Sequence, residues 1–300
     1  PMPVALFPVL PKIHHSANVT QAAPRCDVWV ARNAVDSVSH HTLRTLLDRR
    51  ARNLRDYPMP MYQNIIDPNL LVYPMTARPS TNVFEYQWAP SQFQVSLVAE
   101  IDVVVALQNV IKCYCSGKFP AAAVRTIMQY SPTRRPKAVL TTRIHDLDPT
   151  DNGLLHLTVE RVFNAAIPLI AELRRPALLL PGALQAVVKA QRIYLEPGEE
   201  YEGVWHYDGN REHVVAVALY YYRCSPQLVG GDLEFMDKRP REKEFWVGGD
   251  CTPEALTKET VRRYYDEVPH CRVPVGEGTL VVFSNYQFVH RVLRMQHTGQ

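Results

Sequence analysis

The chain has 300 residues, 46% hydrophobic and 21% charged, which is enough apolar material for a sizeable core in one large or two modest domains. A net charge of +3, from 33 basic and 30 acidic side chains, is too mild to make nucleic acid an obligatory partner. No apolar run approaches the roughly 20 residues of a membrane-spanning helix, so a soluble chain that engages no membrane is expected.

The first 25 residues lack periodicity, and His14-His15 reads there as an exposed arm. Cys26 to Val30 reads as a short strand. From Ser37 to Asp56, Leu43, Leu46, Leu47 and Leu54 fall near helical spacing, with Arg44, Arg49, Arg50, Arg52 and Arg55 between them. Asp48 and Asp56 are interspersed, which favours a solvated helix face over a nucleic-acid surface. Residues 57–82 carry five prolines and read as connections. Phe84 to Trp88, Phe93 to Val105 and Ala138 to Arg143 read as strands by their aromatic and β-branched content, and Phe119 to Tyr130 as a helix. Leu154 to Arg175 has a broad apolar stripe entered by Asp151-Asn152, which predicts a helix backing a sheet, with a kink or early end at Pro168.

After Gly182 the texture changes to short strands. Ala183 to Leu195, Tyr201 to Asp208 and Val214 to Arg223 read as strands, and Gly230-Gly231 turns into a fourth at Asp232 to Met236. A charged loop follows at Asp237 to Lys243, then a short strand at Phe245 to Val247. Thr252-Pro253-Glu254 opens a short helix to about Tyr265. Cys271 to Val275, Thr279 to Phe283 and Val289 to Met295 complete the set. Short strands with turn signals and helices upstream predict an α+β chain built on a barrel or sandwich rather than a parallel sheet.

Six cysteines, at 26, 113, 115, 224, 251 and 271, contain no CxxC pair and read as reduced thiols of an intracellular compartment. The sequence opens at Pro1 without an initiator methionine or a secretory h-region, as a trimmed or matured chain would. The expected address is cytoplasmic or organellar, a mitochondrial one included, and not secreted.

The chemistry-bearing stretch is Gly203 to Gly209. On an extended chain His206 and Asp208 point to one face, and with a third ligand they would form the two-histidine, one-carboxylate set that binds ferrous iron. His290, after the apolar run Gly278 to Asn285, is the best third ligand. His213 is a spare, with Glu212 beside it. The bland alternatives are a core His206 bonded to Asp208 and a buried structural His290. A lone His-x-Asp is expected by chance about once in such a chain.

The residues Arg192 to Leu195, Gly203 to Gly209, Glu212 to Tyr222, Gly231 to Phe235, Gly278 to Asn285 and His290 to Val292 together resemble a eukaryotic family related to the 2-oxoglutarate/iron(II)-dependent dioxygenases. Asn64 to Pro68, Tyr86 to Ser91 and Ala166 to Leu169 are similar more loosely. The resemblance implies a double-stranded β-helix, a jelly-roll or cupin-like barrel, at 181–300, with a helix-rich N-terminal region at 1–180 packed on it. It implies His206, Asp208 and His290 as ligands of Fe(II), with 2-oxoglutarate as cosubstrate in oxidation of a substrate C–H bond. Gly209 would let the loop turn after Asp208. Tyr221 is a candidate hydrogen-bond donor to 2-oxoglutarate, with packing as the alternative job. These enzymes usually anchor 2-oxoglutarate with a basic residue on the strand after the second histidine. Gln300 falls where that strand would begin, so the last strand is expected to be missing. Arg291 would point away from the metal, and Arg294 would lie about 13 Å along the strand from His290.

The expected function is therefore an iron(II)/2-oxoglutarate-dependent hydroxylase or demethylase of unknown substrate. The alternative is a catalytically impaired oxygenase-fold protein serving a larger complex, with partner chains bound through the N-terminal half. A third reading is a cupin-type isomerase or metal-binding protein, which needs no 2-oxoglutarate.

Overall fold

The computed structural model describes residues 18–22, 26–53, 61–72, 85–100, 133–173, 182–209, 214–237 and 270–299. In chain order the elements are β1 (Val19–Gln21), β2 (Val28–Arg32), α1 (Ser37–Asn53), β3 (Tyr62–Ile66), β4 (Asn69–Val72), β5 (Glu85–Trp88), β6 (Ser91–Glu100), β7 (Thr133–Leu140) and α2 (Pro149–Ala171). The remainder are β8 (Gly182–Ala186), β9 (Ala190–Ile193), β10 (Glu200–Tyr201), β11 (Ala216–Tyr220), β12 (Leu228–Gly230), β13 (Leu233–Asp237), β14 (His270–Val273), β15 (Thr279–Ser284), β16 (Phe288–Val292) and β17 (Met295–His297). The chain is thus mixed α+β, with antiparallel sheets and, among the described residues, no closed barrel.

The strand that organises the packing is β15, buried along its whole length. Val281 and Phe283 turn one way, into a cluster with Val28 and Val30 of β2 and Leu233, Phe235, Cys271, Val273 and Phe288. Leu280 and Val282 turn the other way, onto Ala31 and onto Ala166, Leu169, Ile170 and Leu173 in and just beyond α2. A strand covered on both faces must be apolar at consecutive positions, which is why 280–283 reads Leu-Val-Val-Phe. At about 1.5–3 kcal/mol for each fully buried large side chain, it contributes heavily to the core. The sheet β1-β2-β15-β11 therefore has the sheet β14-β13-β16 against one face and α2 on the other.

Helix α1 starts where the Asp36 carboxylate accepts hydrogen bonds from the backbone and hydroxyl of Ser39, and it packs Leu43, Leu47 and Ala51 on Ile65 and Ile66 of β3. Two of its arginines are ties to the rest of the fold: Arg50 donates to Ile65 O and Asp146, and Arg44 meets Glu277, while Arg49 and Arg52 are exposed. Helix α2 is capped by Asp148, not by the expected Asp151-Asn152, because Pro149 takes the first helical position and leaves Thr150 N–H to be satisfied by Asp148. Its non-helical residue is Asn152, whereas the helix passes through Pro168 and ends at Ala171. By length and composition α2 could cross a membrane, which corrects the expectation that no stretch is apolar enough. Its buried side chains nevertheless pack on the sheet and on Phe93, Val95 and Ala138.

Other expectations change in detail. Strands β3 and β4 occur inside the proline-rich stretch expected to hold only connections. The single strand expected over Ala183 to Leu195 is two, β8 and β9, which join different partners, β6 and β3. The strand expected over Tyr201 to Asp208 shrinks to β10 and one isolated bridge at His206. The expected elements at Phe119 to Tyr130, Phe245 to Val247 and Thr252 to Tyr265 lie outside the described residues, as do His14, His15, Glu212, His213 and most of the charged loop after Asp237.

Candidate functional site

Two strand segments build the candidate site. On β16, His290 pairs across to Phe235 of β13 on one side and to His206 on the other. His206 and His290 exchange both backbone hydrogen bonds, N–H to O at 3.1 and 2.9 Å, and Gly203 N–H donates to Val292 O at 2.9 Å. Paired residues of this kind put their side chains on the same face of the sheet. Gly203 suits this approach because a Cβ there would stand 2.8 Å from Val292 N. The inner face thus carries a row Cys271, Phe235, His290, His206 across four chain segments.

His290 is 3% exposed. Its ring lies between Phe235, stacked at 6.0 Å, and Phe283, edge-on at 4.8 Å. The His206 ring is exposed and tilted over His290, with centroids 4.3 Å apart. Its Nδ1 is 2.9 Å from Val204 O. A carbonyl only accepts, so Nδ1 carries a proton, which in the neutral ring leaves the lone pair on Nε2.

Asp208 joins them, with Oδ2 3.7 Å from His290 Nε2. That oxygen is buried without a hydrogen-bond partner. Burial pushes the carboxyl pKa up, against the opposing pull of His206 and Lys189. The loop is set by Asn285: its Oδ1 accepts from Asp208 N–H at 3.1 Å, and its Nδ2 donates to Asp208 O at 2.7 Å and Val214 O at 2.9 Å. Gly209 then turns the chain at φ +64°.

The outer face holds the segment from behind. Arg291 donates to Glu234 at 2.8 Å and to Glu202 at 3.0 Å, and its guanidinium lies 4.7 Å over the Trp205 ring. Arg291 therefore points away from the histidines, as alternation requires.

The structure thus brings His206, Asp208 and His290 to one place. Among the described residues no three His, Cys, Asp or Glu side chains stand close enough, as placed, to hold a metal ion. Two donors each about 2.1 Å from a cation lie roughly 3 Å apart at a right angle, so the 3.7 Å between Asp208 and His290 exceeds that spacing by less than 1 Å. The donor types, two imidazoles and a carboxylate with an oxygen that accepts no hydrogen bond, are those a divalent cation takes, although as placed the three form no ligand cluster. Comparison with protein-family models, curated proteins and solved structures finds no match.

Tyr221, the candidate contact to 2-oxoglutarate, lies apart from the three candidate ligands. Tyr221 hydrogen-bonds through its backbone to Thr279, at the opposite end of β15 from Asn285, roughly 20 Å along the strand. Its ring packs on the central cluster, and burial pushes its phenol pKa up, so packing is the job the structure gives it. Arg294 is ion-paired with Glu200 at the surface. Lys189, 6.0 Å from the Trp88 ring, is a cation whose field reaches Asp208. Sequence reading had no signal for Lys189. For Asn285 the signal was faint, an amide ending an apolar strand.

Proposed function

We propose that this chain is an iron(II)/2-oxoglutarate-dependent oxygenase, a hydroxylase or demethylase, with His206, Asp208 and His290 as the protein ligands of the ferrous ion. The observation that carries this reading is the convergence of two imidazoles, paired across adjacent strands, on a half-buried carboxylate whose Oδ2, the oxygen nearest His290, has no hydrogen-bond partner. The order β14-β13-β16 with the His206 segment added beyond β16, facing β2-β15-β11, supports a double-stranded β-helix as the underlying architecture. The free thiols of Cys26, Cys224 and Cys271 support an intracellular setting.

The chain's own residues prepare the site. Val204 O orients the His206 ring and presents Nε2. Phe235 and Phe283 confine the His290 ring and keep water from that side. Asn285 holds the backbone of Asp208 so that its carboxylate faces the imidazoles. When bound, ferrous iron with 2-oxoglutarate would supply oxidation of a C–H bond coupled to decarboxylation of the cosubstrate.

One observation favours a second reading, an oxygenase-fold subunit without turnover. Arg294, about 13 Å along from His290 by its sequence spacing, is paired with Glu200. Titration with Mn(II), followed by an assay of succinate formed from 2-oxoglutarate with Fe(II), separates the two. Metal binding and succinate, both lost in His206→Ala, support the oxygenase. Metal binding without succinate supports the subunit, and no metal binding by the wild type removes the ligand assignment altogether.

A further inference from the structure

Cys26 and Cys271 are 245 positions apart in sequence yet belong to one packing cluster. Cys26 is partly buried just ahead of β2, and Cys271 is buried on β14, the outermost strand of its sheet. The two sulfurs thus sit between facing sheets, one at the start of a strand from each, in one packing cluster and close enough for each thiol to perturb the other's ionisation. Cys271 also opens the inner row that continues through Phe235 to His290 and His206. We propose that Cys26 and Cys271 form a peroxide-responsive dithiol that closes to a disulfide and staples the two sheets together.

The two thiols are not equivalent. Hydrogen bonding from Cys26 holds the Cys271 thiol below its ordinary value. The same bond, burial, and the charges of Cys271, Asp237 and Asp27 hold Cys26 up. A sulfur that accepts a hydrogen bond is the better thiolate, so Cys271 reacts first and Cys26 resolves. Cys271 is buried, which favours an oxidant as small as hydrogen peroxide over a bulky disulfide.

In the first step the Cys271 thiolate attacks one peroxide oxygen. The O–O bond breaks, hydroxide leaves and takes a proton to become water, and Cys271 becomes a sulfenic acid. In the second, Cys26 gives up its proton, with the Asp27 and Asp237 carboxylates as nearby acceptors, and its sulfur attacks that of Cys271. The S–O bond breaks and a second water leaves. Two thiols and one peroxide become one disulfide and two waters: each sulfur gives up one electron and peroxide gains two.

This inference does not rest on the ferrous site, so the full chain is tested with a strong chelator present. It is treated with hydrogen peroxide, digested without reductant and analysed by mass spectrometry, alongside Cys26→Ser and Cys26→Ala with dimedone to trap sulfenic acid. The expected wild-type result is a cross-linked 26–271 peptide that dithiothreitol reverses, with slowed hydrogen exchange over 271–273. In both variants, checked as folded by circular dichroism, the cross-link should vanish; dimedone should mark Cys271 in Cys26→Ser, which keeps a hydroxyl donor, and more slowly in Cys26→Ala, which does not. Peroxide oxidation of other cysteines with no 26–271 cross-link overturns the proposal. So does an unlabelled Cys271 in folded Cys26→Ser.

Discussion

Replacing Asn285 by alanine should uncouple Asp208 from the rest of the site. The side chain makes three hydrogen bonds, to both backbone groups of Asp208 and to Val214 O, and it is 3% exposed. Each such bond contributes about 1 kcal/mol net, and leaving a buried backbone group unpaired adds to the loss, so the variant should be destabilised by about 3 kcal/mol. With an m-value near 3 kcal/mol/M, the urea midpoint should fall by about 1 M. Asn285→Asp is the matched control: it keeps the shape and the oxygen acceptor but sets a carboxylate against two carbonyls. It should be at least as unstable. A residue that orients a ligating carboxylate without touching the ion typically changes metal affinity about 10–100-fold. Mn(II) titration of Asn285→Ala under folding conditions should therefore show weakening in that range. An unchanged urea midpoint would mean that the amide does not hold the loop. Wild-type metal affinity in a clearly destabilised variant would mean that Asp208 finds its place without Asn285.

Leu280→Ala should cost about 3 kcal/mol in chemical denaturation, because Leu280 is 0% exposed and packed between β2 and α2. Val204→Ala, at a position 78% exposed, should stay within about 0.5 kcal/mol, and equal losses in the two would refute the packing described for β15. Asp36 carries a pH prediction. Hydrogen bonds from the hydroxyl and then the backbone of Ser39 hold its carboxyl pKa below the ordinary aspartate value. Its contribution is thus present in full above that ordinary value and is lost as pH falls through the lower folded one. The stability gap between wild type and Asp36→Ala should accordingly close on acidification through that window, and a gap independent of pH would show that the carboxylate charge plays no part in the cap.

Much of the architecture is local and so was readable in the chain. Helix α1 follows from the helical spacing of Leu43, Leu46 and Leu47, though its Asp36 cap came only with the structure. Helix α2 follows from its broad stripe, although Pro149 moved the cap three residues earlier than Asp151 suggested. Strand β15 follows from four consecutive apolar residues. The positive φ angles of Gly230 and Gly231 follow from the one residue type that adopts them freely. In the 57–82 stretch the prolines masked two short strands, because proline content reports where a chain cannot continue and says little about the few residues between breaks.

Residue order by itself determined which faces are apolar, where turns fall, and that His206 and Asp208 could look the same way, since those depend on backbone geometry over a few positions. Only the tertiary structure decided that His290 lies opposite His206, that Asn285 clamps Asp208, that Tyr221 sits at the far end of its strand and that Arg294 goes to Glu200. It also decided that Cys271 and Cys26 meet. The physical reason is that strand partners and buried hydrogen bonds are chosen by closure of the whole core across long stretches of chain. Periodicity says which side of a strand is inside, but not what stands on the other side of the gap.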